Sequence, residues 1–459
     1  MKPEDFAQLP LPPKALENLA QMGYTAMTPI QQQSLPVILQ GRDIIAQAQT
    51  GSGKTAAFGI GLLEKINPRF FGVQGLILCP TRELATQVAT ELRKLARYLD
   101  NIKIVSICGG QPIGPQIGSL EHGAHIVIGT PGRLRDHLRK QTLNLESLHT
   151  LILDEADRML DMGFEDDIRF IIGATPEKRQ TLLFSATYPD TIEAMSAAYQ
   201  FDPLRVSVES QHDDSTIEQA YITYKNQDKT ETLAALLQHF APEAAIIFCN
   251  TKQTCSDMVA ALRNYGLKSL ALHGDLEQRD RDQVLIRFSN GSCRYLFATD
   301  VAARGLDIDS VDLVINADLP ADPAVYTHRI GRTGRAGRQG MAISLCSDRE
   351  TYRLKRIEEL QTQAIKALKP LASPSPDKVP EPAKMTTLCI AGGRKDKLRP
   401  GDILGALTAS GELTGDAIGK INVTDFSAYV AIERAVSPRA LELLKQGKIK
   451  GRSFKVRRL

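Results

Sequence analysis

The chain has 459 residues, 42% of them hydrophobic and 24% charged, with a formal net charge of +3. That length exceeds one ordinary core and predicts roughly two to four domains of a soluble globular protein. No apolar run is long enough to span a bilayer, and the acidic, proline-interrupted start MKPEDFAQLPLPP does not read as a signal peptide, so a cytoplasmic protein without a membrane role is expected. Seven scattered cysteines, with no CxxC pair and no histidine cluster at zinc spacing, read as reduced, mostly buried thiols. The charge is uneven: from Thr386 onward 14 Lys and Arg face 7 Asp and Glu, a net +7, so the preceding residues carry −4 and one end suits a polyanion.

In chain order, GRDIIAQA, QGLILCP, KIVSIC, HIVIGT, TLILDE and TLLFSAT are short apolar runs with helical patterns between them. This alternation predicts βαβ units and a parallel sheet covered on both faces, whose strands read as continuous apolar runs. A polar stretch around 208–219 reads as a linker, after which AAIIFCNT, KSLALHGD, RYLFATD, DLVINAD and GMAISLC resume the pattern. The expected fold class is therefore α/β, with two tandem parallel-sheet lobes over residues 1–208 and 216–370. Residues 371–384 form a Pro-rich linker, in a region where PLASPSPDKVPEP carries five prolines in thirteen residues. Residues 385–459 read as strand, helix, strand, strand, helix, strand, the split βαβ order of a small α+β domain.

The first strand runs into AQTGSGKT at 48–55, which opens the helical KTAAFGIGLLEKI. Backbone N–H groups of Thr50, Gly51, Ser52 and Gly53 can turn around a phosphate, favoured by the following helix N-terminus. Lys54 can then reach the β and γ phosphates and the Thr55 hydroxyl can ligate Mg²⁺. A Gly-Ser-Gly turn alone is an ordinary loop; Lys and Thr between strand and helix argue for a nucleotide loop, although Ala48 stands where the pattern has its first Gly. Further on, LILDEADRML places Asp154, Glu155 and Asp157 directly after an apolar run. Acids there suit the first turn of a helix. With the loop at 48–55 they also suit a metal site, Asp154 holding Mg²⁺ and Glu155 orienting or deprotonating a water. The helix-cap reading fits Asp157 better than its neighbours.

Together DEAD at 154–157 and the loop at 48–55 resemble the DEAD-box RNA helicases, and further motifs of that family follow in order over about residues 6–350: PTRELA, GG at 109–110, TPGR, SAT, HGDLEQRDR, TDVAARGLD and HRIGRTGRAGR. The resemblance implies two RecA-like lobes, ATP with Mg²⁺, and RNA. It implies that Gln31 reads adenine, with Phe6 and Tyr24 beside it, and that Asp307 meets the ribose. Arg332 and Arg335 would act on the γ-phosphate as arginine fingers; Asp157, Ser185, Thr187 and His328 would couple nucleotide state to lobe closure. RNA contacts would fall to Arg82, Gly110, Thr130 and Arg133 in the first lobe and Arg281 and Thr299 in the second, groups that bind phosphate without reading bases.

The tail is similar to the RNA-recognition-motif-like domain of the DbpA and YxiN subfamily, carried by GGRKDKLRPGDILGAL. This implies docking on 23S ribosomal RNA near hairpin 92, within large-subunit precursors, by a monomer. Aligning DFSAYVAI with the general motif leaves Tyr429 as its lone aromatic, so the basic groups Arg394, Lys395, Lys397, Lys448, Lys450 and Arg452 are better candidates for RNA than stacking on a sheet face. An ATP-gated RNA clamp or assembly scaffold with incidental unwinding is the alternative to a helicase. Against an RNA role for the tail stands a merely solubilising one.

Overall fold

The computed structural model describes residues 5–48, 51–208, 217–225, 229–303, 311–334, 339–359, 365–375 and 377–459. They fall into two compact units, one ending near residue 208, the other carrying the remaining two sheets. The first unit holds β1 (Ile44–Gln47), β2 (Gly75–Leu78), β3 (Ile104–Ile107), β4 (Ile126–Gly129), β5 (Thr150–Leu153), β6 (Gln180–Ser185) and β7 (Leu204–Ser207). All pair in parallel, in the order β3-β4-β2-β5-β6-β1-β7.

Alternation along these strands divides the core in two. Ile44, Ala46, Ile152, Leu182 and Phe184 pack into a cluster on one face. Ile45, Leu151, Leu153 and Leu183 pack into a second cluster on the other. Both faces are apolar because helices cover both, which is why these strands read as unbroken hydrophobic runs.

The second unit repeats the plan with β8 (Ile217–Tyr224), β9 (Ala245–Cys249), β10 (Ser269–Leu272), β11 (Tyr295–Thr299), β12 (Leu313–Asn316), β13 (Gly340–Ser347) and β14 (Lys366–Ala367). Their order is β10-β11-β9-β12-β13-β8-β14. The sequence reading missed β7, β8 and β14; β8 begins at Ile217, inside the stretch expected as linker, and residues 209–216 of that stretch lie outside the described residues. Then follow β15 (Met385–Ile390), β16 (Ile418–Val423), β17 (Ala428–Glu433) and β18 (Val456–Arg458), an antiparallel sheet ordered β16-β17-β15-β18 with helices Pro400–Thr408 and Ser437–Gln446. The strand and helix order of the tail is the one the sequence indicates.

One face of this third sheet, with Leu388, Ile390, Val430 and Ile432, packs on its own helices. The other is turned to the second lobe. Ser292 Oγ lies 2.6 Å from Thr387 Oγ1, Asn422 Nδ2 donates to Asn290 Oδ1 at 3.2 Å, and Arg457 donates to Gln283 at 3.4 Å. Tyr429 and Cys389, register partners on that face, are buried. The proline-rich segment is fastened to the same lobe: Gln238 and Ser375 exchange two hydrogen bonds, and Arg294 Nη1 donates to the Glu381 carbonyl at 2.6 Å. Among the described residues no helix is long and apolar enough to cross a membrane, and all seven cysteines are buried free thiols.

Three first-unit histidines, His125, His137 and His149, have pKa values pushed below their ordinary 6.5, chiefly by desolvation. His125 is fixed as a neutral ring, with Nδ1 accepting from the Lys103 N–H at 3.0 Å and Nε2 facing the Pro68 carbonyl at 3.1 Å. A depressed histidine pKa gives stability that is complete above the unfolded value and is lost as pH falls below it, because the unfolded chain takes up the proton first. The urea midpoint of the first unit should therefore drop between pH 7.5 and 5.5, and the drop should shrink in His125→Gln. An equal drop in both proteins would remove His125 from that account.

Candidate functional site

The carboxyl end of β1 leads into the glycine loop. Gly51 and Gly53 have φ of +89° and +96°, left-handed values that favour glycine. Gly53 caps the helix Lys54–Leu63 and turns that helix's free N–H groups toward the loop. Lys54, 6% exposed, donates through Nζ to the Ala48 carbonyl at 2.8 Å. Gln31 closes the loop from the helix Pro29–Leu39: its Nε2 donates to the Gly53 carbonyl at 3.1 Å, while its Oε1 accepts from the Thr28 N–H at 2.9 Å. A Cβ on Gly53 would lie 2.6 Å from Gln31 Nε2 and 2.8 Å from Thr28 Oγ1, so glycine is required there twice over. Tyr24 stands edge-on to Phe6, with ring centroids 6.1 Å apart, and donates to Glu91 at 3.0 Å. Burial, then the Glu91 carboxylate, keeps its hydroxyl protonated.

The acids sit at the end of β5. Glu155 adopts φ +53°, ψ +52°, a conformation uncommon outside glycine, and initiates the helix Ala156–Asp161. Asp154 and Glu155 are each 3% exposed. Desolvation, against the pull of Lys54 and with a push from Glu155, raises the Asp154 pKa to about 7. Asp154 Oδ1 is buried with no hydrogen-bond partner among the described residues, an oxygen that a cation would satisfy. Beside it, Arg158 Nε lies 3.5 Å from Glu155 Oε2, with both side chains buried. Asp157 does two things at once. Its Oδ1 accepts from the Arg158 N–H at 3.0 Å, a first-turn role, and its Oδ2 accepts from Thr187 N at 3.0 Å and Thr187 Oγ1 at 2.8 Å. Ser185, fully buried at the end of β6, stands two residues from Thr187.

A second constellation lies in the same unit. Gly109, Thr130, Gly132, Arg133, Arg135 and Arg139 line a groove of about 470 Å³. A side chain at Gly110, φ +70°, would collide with the Arg82 guanidinium, so the two are in contact. Arg135 pairs with Asp167 at 2.6 Å, and Arg135 and Arg139 both stand over the Phe170 ring, at 5.5 and 5.6 Å. Asp136 and Asp167 line it too, Asp136 lying 3.8 Å from the Arg133 guanidinium, so three arginines against two acids leave the groove a small positive excess that suits a phosphate chain.

In the second unit Arg329, 1% exposed, uses all five of its N–H groups. It is bidentate to Asp300 at 2.6 and 2.7 Å and donates to Asn316 Oδ1, the Asp318 carbonyl and Asn250 Oδ1. Arg332, three residues on, is buried, and His328, Thr299 and Arg281 are half-buried. Thr50, Asp307 and Arg335 lie outside the described residues. On the third domain Arg394, Lys395, Lys397, Lys448, Lys450 and Arg452 are all exposed. Lys450 Nζ donates to the Lys397 carbonyl at 3.1 Å, which brings segments fifty residues apart in the chain onto one edge. The sequence reading did not single out Thr28, Gln116, His137, Arg158 or Arg329; Arg329, inside HRIGR, and Arg158, inside LILDEADRML, lay within motifs that could have found them.

Residues 28–195 match the DEAD/DEAH box helicase model, 228–337 the helicase conserved C-terminal domain and 387–458 the DbpA RNA binding domain. The chain is 52% identical over 449 residues to the ATP-dependent RNA helicase DbpA of Escherichia coli (strain K12), covering 98% of each. Among solved structures it is similar to S. cerevisiae Dbp5 bound to RNA and ADP BeF3, with TM-score 0.73, 33% identity, 79% of this chain and 95% of that one. It is also similar to Mss116p bound to ssRNA and AMP-PNP, with TM-score 0.72, 30% identity, 82% of this chain and 81% of that one. With the phosphate loop, the buried acids and the positive groove in place, the chain belongs to the DEAD-box ATP-dependent RNA helicases, in the DbpA subfamily.

Proposed function

We propose that this RNA helicase is directed by its third domain to the hairpin 92 region of 23S ribosomal RNA, as a cytoplasmic monomer acting on large-subunit precursors. The observation that carries the reading is that identity to E. coli DbpA runs through the third domain as well as the lobes. The exposed basic edge formed around Lys397 and Lys450 supports a phosphate-binding role for that domain.

In the first lobe, the proposed roles follow the chemistry of each group. Gln31, Tyr24 and Phe6 take the adenine; Gly51, Ser52, Gly53 and Lys54, with Thr50, take the phosphates; Asp307 takes the ribose. Thr55 and Asp154 would hold Mg²⁺, which neutralises charge on the β and γ phosphates; the lone Asp154 Oδ1 fits this. Glu155 orients and deprotonates the attacking water. Arg332 and Arg335 would stabilise the phosphoryl charge from the second lobe. Asp157, held by Thr187, together with Ser185 and His328, would transmit nucleotide state. Arg82, Gly110, Thr130, Arg133, Arg281 and Thr299 would grip the RNA backbone.

Glu155→Gln keeps the shape and removes the base, so kcat should fall by at least about 100-fold with ATP affinity retained; Lys54→Ala should weaken both. Steady-state ATPase and nucleotide titration separate the two patterns, and normal turnover in Glu155→Gln would contradict its role.

The loop geometry makes a finer distinction. Gly51→Ala meets no atom within 4 Å among the described residues and carries only backbone strain, on the order of 1 kcal/mol. Gly53→Ala adds a collision with Gln31 and Thr28, so it should lose more ATP affinity than Gly51→Ala in equilibrium titration. Equal losses would mean that Gln31 does not brace the loop.

For the third domain, replacing Lys448, Lys450 and Arg452 with Gln should lower affinity for hairpin 92 RNA. Each lost phosphate contact should flatten the salt dependence by about 0.7 in logarithmic slope. The test is titration of hairpin 92 RNA and an unrelated structured RNA across salt. Unchanged discrimination between them would move the targeting function elsewhere.

A further inference from the structure

We propose that Gln116 and His137 are positioning residues for RNA binding by the first lobe, fixing the Arg133 guanidinium and the Gly109-Gly110 loop as one unit. The proposal rests on the assignment of Arg133 to RNA. Arg133 Nη1 spends both of its hydrogens on protein acceptors, the Gln111 carbonyl at 3.0 Å and Gln116 Oε1 at 3.0 Å. Gln116 Nε2 donates to the Cys108 carbonyl at 2.9 Å. The two ends of the glycine loop, Cys108 and Gln111, are therefore tied to one glutamine and one arginine; Arg133 Nε faces Asp136 at 3.8 Å, and the Nη2 hydrogens are left for a ligand in the groove that Gly109, Thr130 and Arg133 line.

Behind this pair stands a histidine that no step of ATP hydrolysis uses. His137 is fully buried; its Nε2 is 3.0 Å from Gln116 Oε1 and its Nδ1 is 2.8 Å from Thr142 Oγ1. A guanidinium can only donate, so the Gln116 atom facing Arg133 must be the oxygen. That oxygen also faces His137 Nε2, which must then carry the proton, leaving Nδ1 as an acceptor 2.8 Å from Thr142 Oγ1, whose single hydrogen is shared with the His137 carbonyl at 3.2 Å. Desolvation, reinforced by the Arg133 charge, keeps the ring in this neutral form. Every polar atom of Gln116 and both ring nitrogens of His137 are thereby engaged, and a buried network completed in this way holds one geometry.

A purely structural pair would support the lobe without favouring either ligand. A positioning pair predicts a selective effect: RNA affinity falls more than ATP affinity, because a guanidinium no longer held must be ordered at the moment of binding. The test measures RNA-stimulated ATPase of the full chain with polyuridylate, reading the ratio of RNA half-saturation to ATP KM. Gln116→Met removes the acceptor and the donor, and the ratio should rise by about tenfold or more, the loss of one hydrogen bond to a charged group. Gln116→Glu keeps the acceptor and should recover most of that loss. His137→Leu leaves the acceptor in place but unbraced, and should raise the ratio by about two- to threefold, a smaller share of the same term. Arg133→Ala is the reference variant. If it raises the ratio and neither Gln116→Met nor His137→Leu does, the positioning role is overturned while the assignment of Arg133 stands. If Arg133→Ala itself leaves the ratio unchanged, that assignment fails and the proposal with it. A parallel decline of kcat, ATP affinity and melting temperature in Gln116→Met and His137→Leu, with no rise in the ratio, also overturns it.

Discussion

The desolvated carboxylate of Asp154 is the constraint around which the first lobe is arranged. An ionised acid removed from water is costly unless something of opposite charge meets it. Here the cost shows as a pKa raised to about 7 and an oxygen with no partner among the described residues. The sheet order puts the means of compensation close by: β5, β6 and β1 are neighbours, so the acids after β5, Ser185-Ala186-Thr187 after β6 and the glycine loop after β1 emerge at one edge. This is the carboxyl end of a parallel sheet, where α/β folds place their ligands. The Lys54 charge opposes the upward shift of Asp154, and Arg158 balances Glu155.

Buried charge serves a different purpose in the second unit. Arg329 has no unsatisfied donor, and its five bonds join the helix Pro323–Ile330 to the ends of β9, β11 and β12. Removing one partner from a buried pair of this kind typically costs about 3–5 kcal/mol, which makes the segment carrying His328 and Arg332 a rigid extension of the sheet. Asp157 performs the lighter version in the first unit, one carboxylate tying a helix start to Thr187 by two bonds.

Most of the architecture was legible because parallel strands buried on both faces must be apolar throughout, and the motif residues fall at their ends. The strands that escaped notice are those whose patterns lack that property. Leu204–Ser207 is largely exposed, Lys366–Ala367 is fully exposed at a sheet edge, and Ile217–Tyr224 alternates polar with apolar residues. Gln116 and His137 had no local signature either: each owes its role to a partner brought near by the fold, and Gln116 meets His137 from twenty-one residues away. The phosphate loop could be read because its chemistry is contiguous, whereas the groove is assembled from three separate segments.

The third domain shows how a sequence-level departure acquires a structural reason. Tyr429 is the lone aromatic where a sheet-face RNA binder needs two or three, and the fold places it on the face that meets the second lobe. On that face Thr387, Asn422 and Arg457 each make a hydrogen bond to Ser292, Asn290 or Gln283. A face committed to a protein contact does not require stacking aromatics, and the exposed Arg394, Lys395, Lys397, Lys448, Lys450 and Arg452 stay open to solvent. The linker, fastened at Ser375 and Glu381 to the second lobe, holds the domain against that lobe.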